Sequence, residues 1–241
     1  MVQQNIVQDR LQDLFPVHYR NGNILMINAD CMDVMAHIQD NEAELSCVDP
    51  PYGIGADNMT GGAGKNKLWK KGKRWDSAVP DKTYFNELFR VSKNQIIWGG
   101  NYFFDFLPST KSCMIWDKQN DGRDFAEFEF AWSSFDEVAR TFRMRPMGMD
   151  GGKIHPTQKP VALYKWLLSR YAKPGDRILD THGGSGSICI AAHDLGYDLT
   201  WMELDADYYA AACKRYKDHA AQASLFDPAE LTKEAKEGEL F

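Results

Sequence analysis

The chain has 241 residues, a formal net charge of −6 and 44% hydrophobic residues, which suits one domain with a full hydrophobic core. It has no run of about 18 apolar residues and no basic and apolar stretch at its start, so we expect a cytoplasmic protein without a membrane span. None of the five cysteines forms a C-x-x-C pair, which argues against a zinc site or a disulfide framework.

The amino-terminal half alternates short apolar runs with amphipathic segments. Residues 1–22 are polar and are compatible with one helix that ends near Pro16. Helical spacing of apolar residues predicts a helix that begins after Asp30, a suitable N-cap, and another over residues 81–91. Strands are predicted at residues 24–27, 44–48, 95–98, 113–116 and 127–132. Residues 136–154 show no clear period and are predicted to form a loop.

The carboxyl-terminal half has a clearer pattern. Its predicted elements are a helix at 160–171, a strand at 177–180, a helix at 187–195, a strand at 199–203 and a helix at 206–221. Strands that alternate with helices predict an α/β fold with a mostly parallel, doubly wound sheet. We expect a single domain over residues 1–226 and an acidic, flexible tail over residues 227–241, which carries five acids and two lysines.

The tetrapeptide Asp49-Pro50-Pro51-Tyr52 follows the predicted strand 44–48. The carboxyl ends of strands in open α/β sheets are where ligands bind. A carboxylate, two prolines and a flat ring could hold an amino group attached to an aromatic ring. The amino hydrogens would go to the Asp49 carboxylate and the Pro50 carbonyl, and the ring would stack on Tyr52. The alternative is an ordinary proline turn with a solvated Asp49, and these four residues alone leave both open.

A glycine-rich turn lies between a strand and a helix in the carboxyl-terminal half. It reads Asp180-Thr-His-Gly-Gly-Ser-Gly186, and Glu203 ends the following strand. Glycines let a backbone approach a ligand, and an acid at the second strand's end is suited to ribose hydroxyls, as in nucleotide-binding βαβ units. The spacing differs from G-x-G-x-x-G, so pyrophosphate binding is not favoured. A plain strand–helix turn with a surface Glu203 is the alternative.

A third cluster, His155-Pro-Thr-Gln-Lys-Pro160, precedes a predicted helix. Pro160 suits the first turn of that helix. Lys159 or the helix amides could hold a carboxylate. A simple loop that enters the helix explains the cluster equally well.

In this order, the three motifs resemble those of the amino-methylating DNA methyltransferases of the N4/N6 family, β class. The resemblance covers about residues 23–217. It implies a Rossmann-like class I methyltransferase sheet with a circularly permuted motif order, in which the catalytic half precedes the half that binds S-adenosyl-L-methionine (AdoMet). It implies AdoMet as methyl donor, double-stranded DNA as partner, and a catalytic tetrapeptide made of Asp49, Pro50, Pro51 and Tyr52.

The resemblance also implies a set of residues that bind the cofactor. Asp30-Cys31 resembles a family segment that contacts the cofactor adenine, although Asp30 is equally explained as a helix cap. The full candidate set is Asp30, Cys31, His155, Thr157, Lys159, Asp180, Gly183, Gly184, Ser185, Gly186 and Glu203. The chain departs from the family at Thr181-His182, where Pro-Phe is usual, which puts the apolar contact of this loop with the cofactor in doubt.

Basic residues are concentrated where DNA contacts are expected. Residues 65–74 carry six positive charges and no negative one, within a glycine-rich loop over residues 53–76 that we expect to be mobile and to clamp phosphates. Residues 100–154 are the candidate target-recognition segment, because Arg can bind guanine edges. The candidate DNA-binding residues are Lys65, Lys67, Lys70, Lys71, Lys73, Arg74, Arg143 and Arg145. A solvated loop and surface arginines are the alternatives.

The segment Gln222–Phe226 resembles the short peptide that docks on bacterial sliding clamps. Packing of Leu225 and Phe226 at a helix end is the alternative, and a homodimer is left open.

The resulting prediction is a site-specific DNA methyltransferase that flips its target base and methylates adenine N6. Asp rather than Ser at position 49 resembles the adenine type. The alternatives are a cytosine-N4 enzyme, an AdoMet-dependent amine methyltransferase that acts on RNA or another planar substrate, and a module that binds without turnover.

Overall fold

The structure is a computed structural model that describes residues 6–56, 75–122, 126–146 and 152–224. Within these residues, nine strands form one sheet. The strands are β1 His18–Asn21, β2 Ile24–Ile27, β3 Ala43–Val48, β4 Ser92–Trp98, β5 Cys113–Asp117, β6 Phe128–Ser133, β7 Arg140–Arg143, β8 Arg177–Asp180 and β9 Asp198–Met202. The α-helices are α1 Ile6–Leu14, α2 Cys31–Met35, α3 Lys82–Val91, α4 Val161–Tyr171, α5 Ser187–Leu195 and α6 Ala206–Ser224.

The strand order is β1-β2-β9-β8-β3-β4-β6-β5-β7. The centre of the sheet consists of five strands that are parallel to one another, in the order β2, β9, β8, β3 and β4. Antiparallel pairs occur outside this centre, where β1 joins β2 and where β6 joins β4 and β5. The prediction of a doubly wound, mostly parallel sheet is therefore confirmed for the centre of the sheet.

The hydrophobic core has two halves, one on each face of the sheet. Along β2, Ile24 and Met26 pack on the side of α4, α5 and α6, whereas Leu25 and Ile27 pack on the side of α1, α2 and α3. This alternation follows from the two-residue period of a strand. Among the described helices, none is both long and apolar enough to cross a membrane.

Most of the predicted elements are confirmed. Strands β2 and β8 have the predicted bounds, and α5 begins and ends at the predicted residues. The predicted cap of α2 is also present, since the side chain of Asp30 accepts a hydrogen bond from Met32 N. Asp81, which was predicted as the first residue of a helix, is instead the cap of α3, and its side chain accepts from Thr83 N.

The expected loop over residues 136–154 is wrong in part, because it contains β7, and β1 was not predicted. Both are four-residue strands at the two edges of the sheet. Edge strands are short and tolerate polar residues. Neither therefore has the continuous apolar run that predicted the central strands.

Candidate active site

Four parallel strands bring the sequence motifs to one edge of the sheet. Neighbouring strands β2, β9, β8 and β3 end just before Asp30, Glu203, the glycine-rich turn and Asp49, respectively. Strands β3 and β8 pair directly, with Ser46 opposite Leu179. The tetrapeptide therefore lies beside the glycine-rich turn.

A cavity of about 520 Å³ opens at this edge. It is lined by Asp49 and Pro51 of the tetrapeptide and by nine of the eleven candidate cofactor residues. These nine are Asp30, Cys31, His155, Thr157, Lys159, Gly183, Gly184, Ser185 and Glu203. Asp180 and Gly186, the first and last residues of the turn, are buried and do not line the cavity. The roles of all these residues remain predictions, but the fold does bring the three motifs together.

The carboxylate of Asp49 already has a partner at each oxygen. The hydroxyl of Tyr52 donates to Oδ1 at 2.5 Å, and the Lys159 ammonium donates to Oδ2. The Nζ atom of Lys159 also lies 3.1 Å from Oε2 of Glu129, a residue that the sequence analysis did not identify. The Lys159 side chain is 2% exposed, whereas those of Asp49 and Glu129 are 18% and 19% exposed. Lys159 therefore lies between two carboxylates of the protein itself.

Burial and neighbouring charges shift the pKa values of Asp49, Lys159 and Glu129. Burial raises the pKa of Asp49; Lys159 opposes this shift, Glu129 adds to it, and the pKa ends above its usual value. Burial lowers the pKa of Lys159, but Asp49 and Glu129 outweigh burial and raise it overall. Burial also raises the pKa of Glu129, but Lys159 and Lys118 bring it below its usual value. Glu129 therefore holds its charge more firmly than Asp49 does.

A second carboxylate fixes the backbone of the tetrapeptide. Buried Asp76 accepts hydrogen bonds from Tyr52 N at 2.6 Å and Gly53 N at 2.8 Å through Oδ1, and from Ala56 N at 2.8 Å through Oδ2. Asp76 was not predicted from the sequence, because it is 24 residues from Tyr52. Its only sequence signal is an acid at the far end of a glycine-rich loop.

The ring of Tyr52 stacks on Tyr102, with ring centroids 4.9 Å apart and planes inclined by 14°. Tyr102 ends a 3₁₀ turn over Gly100–Tyr102 that follows β4, and it is 43% exposed. This turn requires glycine at position 99, where φ is +71° and a Cβ would lie 2.1 Å from Cε1 of Tyr52. Tyr102 was not predicted, although the Gly-Gly pair after a strand beside β3 indicates a close backbone approach.

The glycine-rich turn is fixed by hydrogen bonds between backbone and side chains. The two carboxylate oxygens of Glu203 accept from Gly184 N and Asp205 N, both at 2.8 Å. The hydroxyl of Ser187 donates to the Lys159 carbonyl at 2.7 Å and so joins α5 to the third motif. These bonds hold Glu203 at the cavity wall.

Thr181 and His182 occupy the positions where the family usually has Pro-Phe. The Thr181 hydroxyl lies 2.8 Å from the Tyr84 hydroxyl and 2.9 Å from Nδ1 of His182. The His182 ring lies edge-on to Tyr84, with centroids 5.2 Å apart. Burial lowers the pKa of His182 to about 4, so the imidazole is neutral at pH 7. A neutral aromatic ring therefore lines the cavity at this position.

The candidate DNA-binding residues are only partly described. Lys65, Lys67, Lys70, Lys71, Lys73 and Arg74 lie outside the described residues. Arg143 and Arg145 are exposed at the β7 edge of the sheet, and Arg143 Nε lies 3.1 Å from Oδ2 of Asp117. Gln222 is exposed in the last turn of α6, whereas residues 225–226 lie outside the described residues.

Comparison with known proteins gives a family match for part of the chain. A sequence model described as DNA methylase, of the N6/N4 type, matches residues 114–214, which include the His155–Pro160 cluster and the glycine-rich turn. This match covers less than half of the chain and shows that its carboxyl-terminal part is similar to the N6/N4 DNA methylases. The predicted resemblance to this family is confirmed over that part of the chain, and it supports DNA methyltransferase activity with AdoMet as methyl donor.

Similar proteins support this assignment along most of the chain. The type II methyltransferase M2.MboI of Moraxella bovis is 24% identical in an alignment of 255 positions that covers 87% of this chain and 92% of the relative.

Two solved structures share the fold. The M1.HpyAVI complex with SAM has 21% identity and a TM-score of 0.57 and covers 80% of this chain and 98% of its own. The PvuII DNA methyltransferase, which is cytosine-N4-specific, has 13% identity and a TM-score of 0.60 and covers 86% of this chain and 94% of its own. The predicted Rossmann-like class I methyltransferase fold is confirmed.

The chemistry of the residues that line the described cavity fits AdoMet. Its volume is in the usual range of about 300–1,000 Å³ for small-molecule sites. The carboxylates of Asp30 and Glu203 at its wall suit hydroxyl and amino groups, and the rings of Tyr84 and His182 suit a flat heterocycle. A cavity with several carboxylates also suits the positive charge of a sulfonium.

Proposed function

We propose that this DNA methyltransferase is a site-specific adenine-N6 enzyme that flips its target base into the cavity beside Asp49. The observation that carries the proposal is the position of Asp49-Pro50-Pro51-Tyr52 at the wall of the cavity that Glu203 and the glycine-rich turn also line. Methyl transfer requires the acceptor amine and the methyl donor to lie side by side, and this arrangement brings their proposed binding groups within one cavity.

The proposed mechanism relies on positioning and electrostatics. AdoMet supplies an electrophilic methyl group on its sulfonium. Asp49 and the Pro50 carbonyl accept the two hydrogens of the base amine, which favours a pyramidal nitrogen with its lone pair free to attack. The base stacks on Tyr52. No covalent intermediate with the protein is required, because fixed acceptors at the developing positive charge supply the stabilisation.

The choice of adenine rests on residue 49. An Asp at the first position of the tetrapeptide resembles the adenine type of the family, whereas Ser resembles the cytosine type. Cytosine N4 is the second candidate, because one protein of similar fold is cytosine-N4-specific. A third candidate substrate is RNA or another planar amine, since the tetrapeptide recognises the amine rather than the sugar.

Mapping of modified bases tests the proposal directly. DNA from a host without other DNA methyltransferases, expressing this chain, is hydrolysed and analysed by mass spectrometry, then sequenced for modified positions. We expect N6-methyladenine at one short sequence and none when Asp49→Ala is expressed. N4-methylcytosine instead would assign the second candidate. Modified RNA with unmodified DNA would refute DNA as the substrate.

The DNA contacts belong to the same proposal. We infer that Lys65, Lys67, Lys70, Lys71, Lys73 and Arg74 bind phosphates and that Arg143 and Arg145 read base edges. Neutralising phosphate contacts weakens binding to every sequence and lowers its salt dependence, whereas losing a base contact relaxes the recognition sequence. Filter binding at several salt concentrations and modified-base sequencing distinguish these outcomes.

We also propose that Gln222–Phe226 binds the sliding clamp in the bacterial cytoplasm. A clamp pull-down with the full chain and with a chain lacking residues 222–226 tests this. Equal capture of both chains would refute it.

A further inference from the structure

Glu129 is a partly buried acid that the mechanism above does not use. It lies on β6 opposite Trp116, and its carboxylate joins two lysines: Oε1 is 2.7 Å from Nζ of Lys118 and Oε2 is 3.1 Å from Nζ of Lys159. Because Lys159 in turn contacts Asp49, four charges of alternating sign form a chain from Lys118 to the tetrapeptide.

The Lys159 ammonium has little freedom to leave its position between Glu129 and Asp49. Its side chain is almost fully buried, with the ammonium 5.2 Å from the centroid of the Trp98 ring and 5.9 Å from that of Tyr52. Its backbone carbonyl is held by the Ser187 hydroxyl. A buried ammonium is costly unless opposite charges compensate it. Two carboxylates provide that compensation here, one from the tetrapeptide and one from β6.

We propose that Glu129 is a positioning residue that anchors the Lys159 ammonium and, through it, holds the Asp49 carboxylate correctly oriented for the base amine. The inference rests on the proposed role of Asp49 in methyl transfer. Glu129 anchors the Lys159 ammonium, and Lys159 holds Oδ2 of Asp49. The oxygen offered to the amine is therefore Oδ1, and the amine replaces the Tyr52 hydroxyl there.

In this arrangement the partner of Lys159 is the Asp49 carboxylate, whereas the sequence predicted a carboxylate of the cofactor. An ion pair is stronger than the hydrogen bond of a neutral hydroxyl. Tyr52 therefore yields Oδ1 more readily than Lys159 yields Oδ2. Removing Lys159 should impair methyl transfer and leave AdoMet affinity nearly unchanged.

Charge removal at the two residues has opposite effects on Asp49. The Lys159 charge lowers the pKa of Asp49 and the Glu129 charge raises it. Lys159→Met should move the acid limb of the pH–rate profile to higher pH, and Glu129→Gln should move it to lower pH. The other titratable groups that sense the Asp49 charge are Cys47, Tyr52, Tyr84, Tyr164 and Asp180. These groups are unchanged in both variants, and a merely structural role would not move the two limbs in opposite directions.

The experiment measures single-turnover methyl transfer to unmodified genomic DNA from pH 5 to 9, with saturating labelled AdoMet. At pH 7 we expect the rate to be at least tenfold lower for Lys159→Met, with a smaller loss of rate for Glu129→Gln. Lys159→Arg should restore part of the rate that Lys159→Met loses. All three variants should have AdoMet dissociation constants within threefold of that of the wild type. Glu127→Gln is the matched control, because Glu127 is exposed two residues away. Thermal unfolding of each variant identifies any loss of the fold.

A second readout does not depend on turnover. The ¹³C carboxyl resonance of Asp49, assigned by its loss in Asp49→Asn, is titrated in the wild type, Lys159→Met, Lys159→Arg and Glu129→Gln. Opposite shifts for Lys159→Met and Glu129→Gln support the inference. Unchanged titration and unchanged acid limbs would overturn it, as would a Lys159→Met enzyme impaired only in AdoMet binding. Absence of methyl transfer by the wild type to any DNA would instead refute the proposed function, with the titration still deciding the inference.

Discussion

Replacement of Gly183 by alanine should test how tightly the cofactor turn is packed. A Cβ at position 183 would lie 1.8 Å from Cε2, 2.0 Å from Nε1 and 2.2 Å from Cζ2 of Trp201. Real Cβ contacts almost never fall below 3.0 Å, and Trp201 is fully buried in β9. Relief of the overlap requires a shift of at least 1.2 Å (3.0 − 1.8) in the turn or in the indole.

The expected cost follows from this overlap. Over-packing of a core costs about 1–3 kcal/mol, and rigid neighbours place Gly183→Ala near the upper end. A loss of about 3 kcal/mol lowers Tm by roughly 6–12 °C in a protein of this size. We also expect AdoMet affinity to fall about tenfold or more, because Gly184 and Ser185 follow directly in the cavity wall.

Urea unfolding and calorimetric titration with AdoMet measure the two effects. Gly22→Ala is the control, since its φ of +56° adds strain while no atom lies within 4 Å of the new Cβ. Trp201→Leu removes all three overlapping atoms, and Trp201 Nε1 has no hydrogen-bond partner among the described residues. The double variant should therefore be about 2 kcal/mol more stable than the sum of the single losses predicts. Additive losses, or a Gly183→Ala variant no less stable than Gly22→Ala, would refute the packing argument.

Three further changes should have measurable effects. Tyr102→Ala removes a stacked ring worth about 0.5–1.5 kcal/mol, so kcat/KM for DNA should fall about 2- to 12-fold with unchanged AdoMet affinity, whereas Tyr102→Phe should retain activity. Asp76→Asn turns an NH₂ group toward a buried backbone N–H, which should lower the free energy of unfolding in urea by about 1–3 kcal/mol and slow single-turnover methyl transfer. Equal stability would contradict the conclusion that Asp76 fixes the backbone at Tyr52. Burial raises the pKa of Glu44, but Arg177 outweighs it and lowers the pKa to about 2. Stability from Glu44 is thus present above about pH 4.5 and is lost toward pH 2, and Glu44→Gln should flatten the stability–pH curve across that interval.

The sequence predicted the parts of the site that depend on local order along the chain. The motifs follow strands whose apolar runs are continuous, and parallel strands bring their carboxyl ends to one edge. Strand ends therefore predicted that Asp49, Glu203 and the glycine-rich turn would meet. The Asp49–Lys159 pair was not predicted, because it joins residues 110 positions apart in the chain.

Glu129 was missed for a different physical reason. The alternation Glu127-Phe128-Glu129-Phe130 is typical of a strand with its acids on the solvent side. In the structure the pattern is inverted at the start of β6, where Phe128 is 54% exposed and Glu129 is largely covered. An acid that points inward is stable only because Lys118 and Lys159 form ion pairs with it. A single sequence does not reveal that these residues are in contact.

Asp76 has a consequence for how proteins of this fold can diversify. Its carboxylate and carbonyl bind the backbone N–H groups of Ala56 and Gly55, so the two ends of the segment over residues 57–75 are tied together at the site. Because Asp76 holds both residues 55 and 56, the geometry of the tetrapeptide should not depend on the length or composition of residues 57–75. Segments exchanged between related enzymes at this point should alter DNA affinity and its salt dependence while the methyl-transfer step keeps its rate and its target sequence.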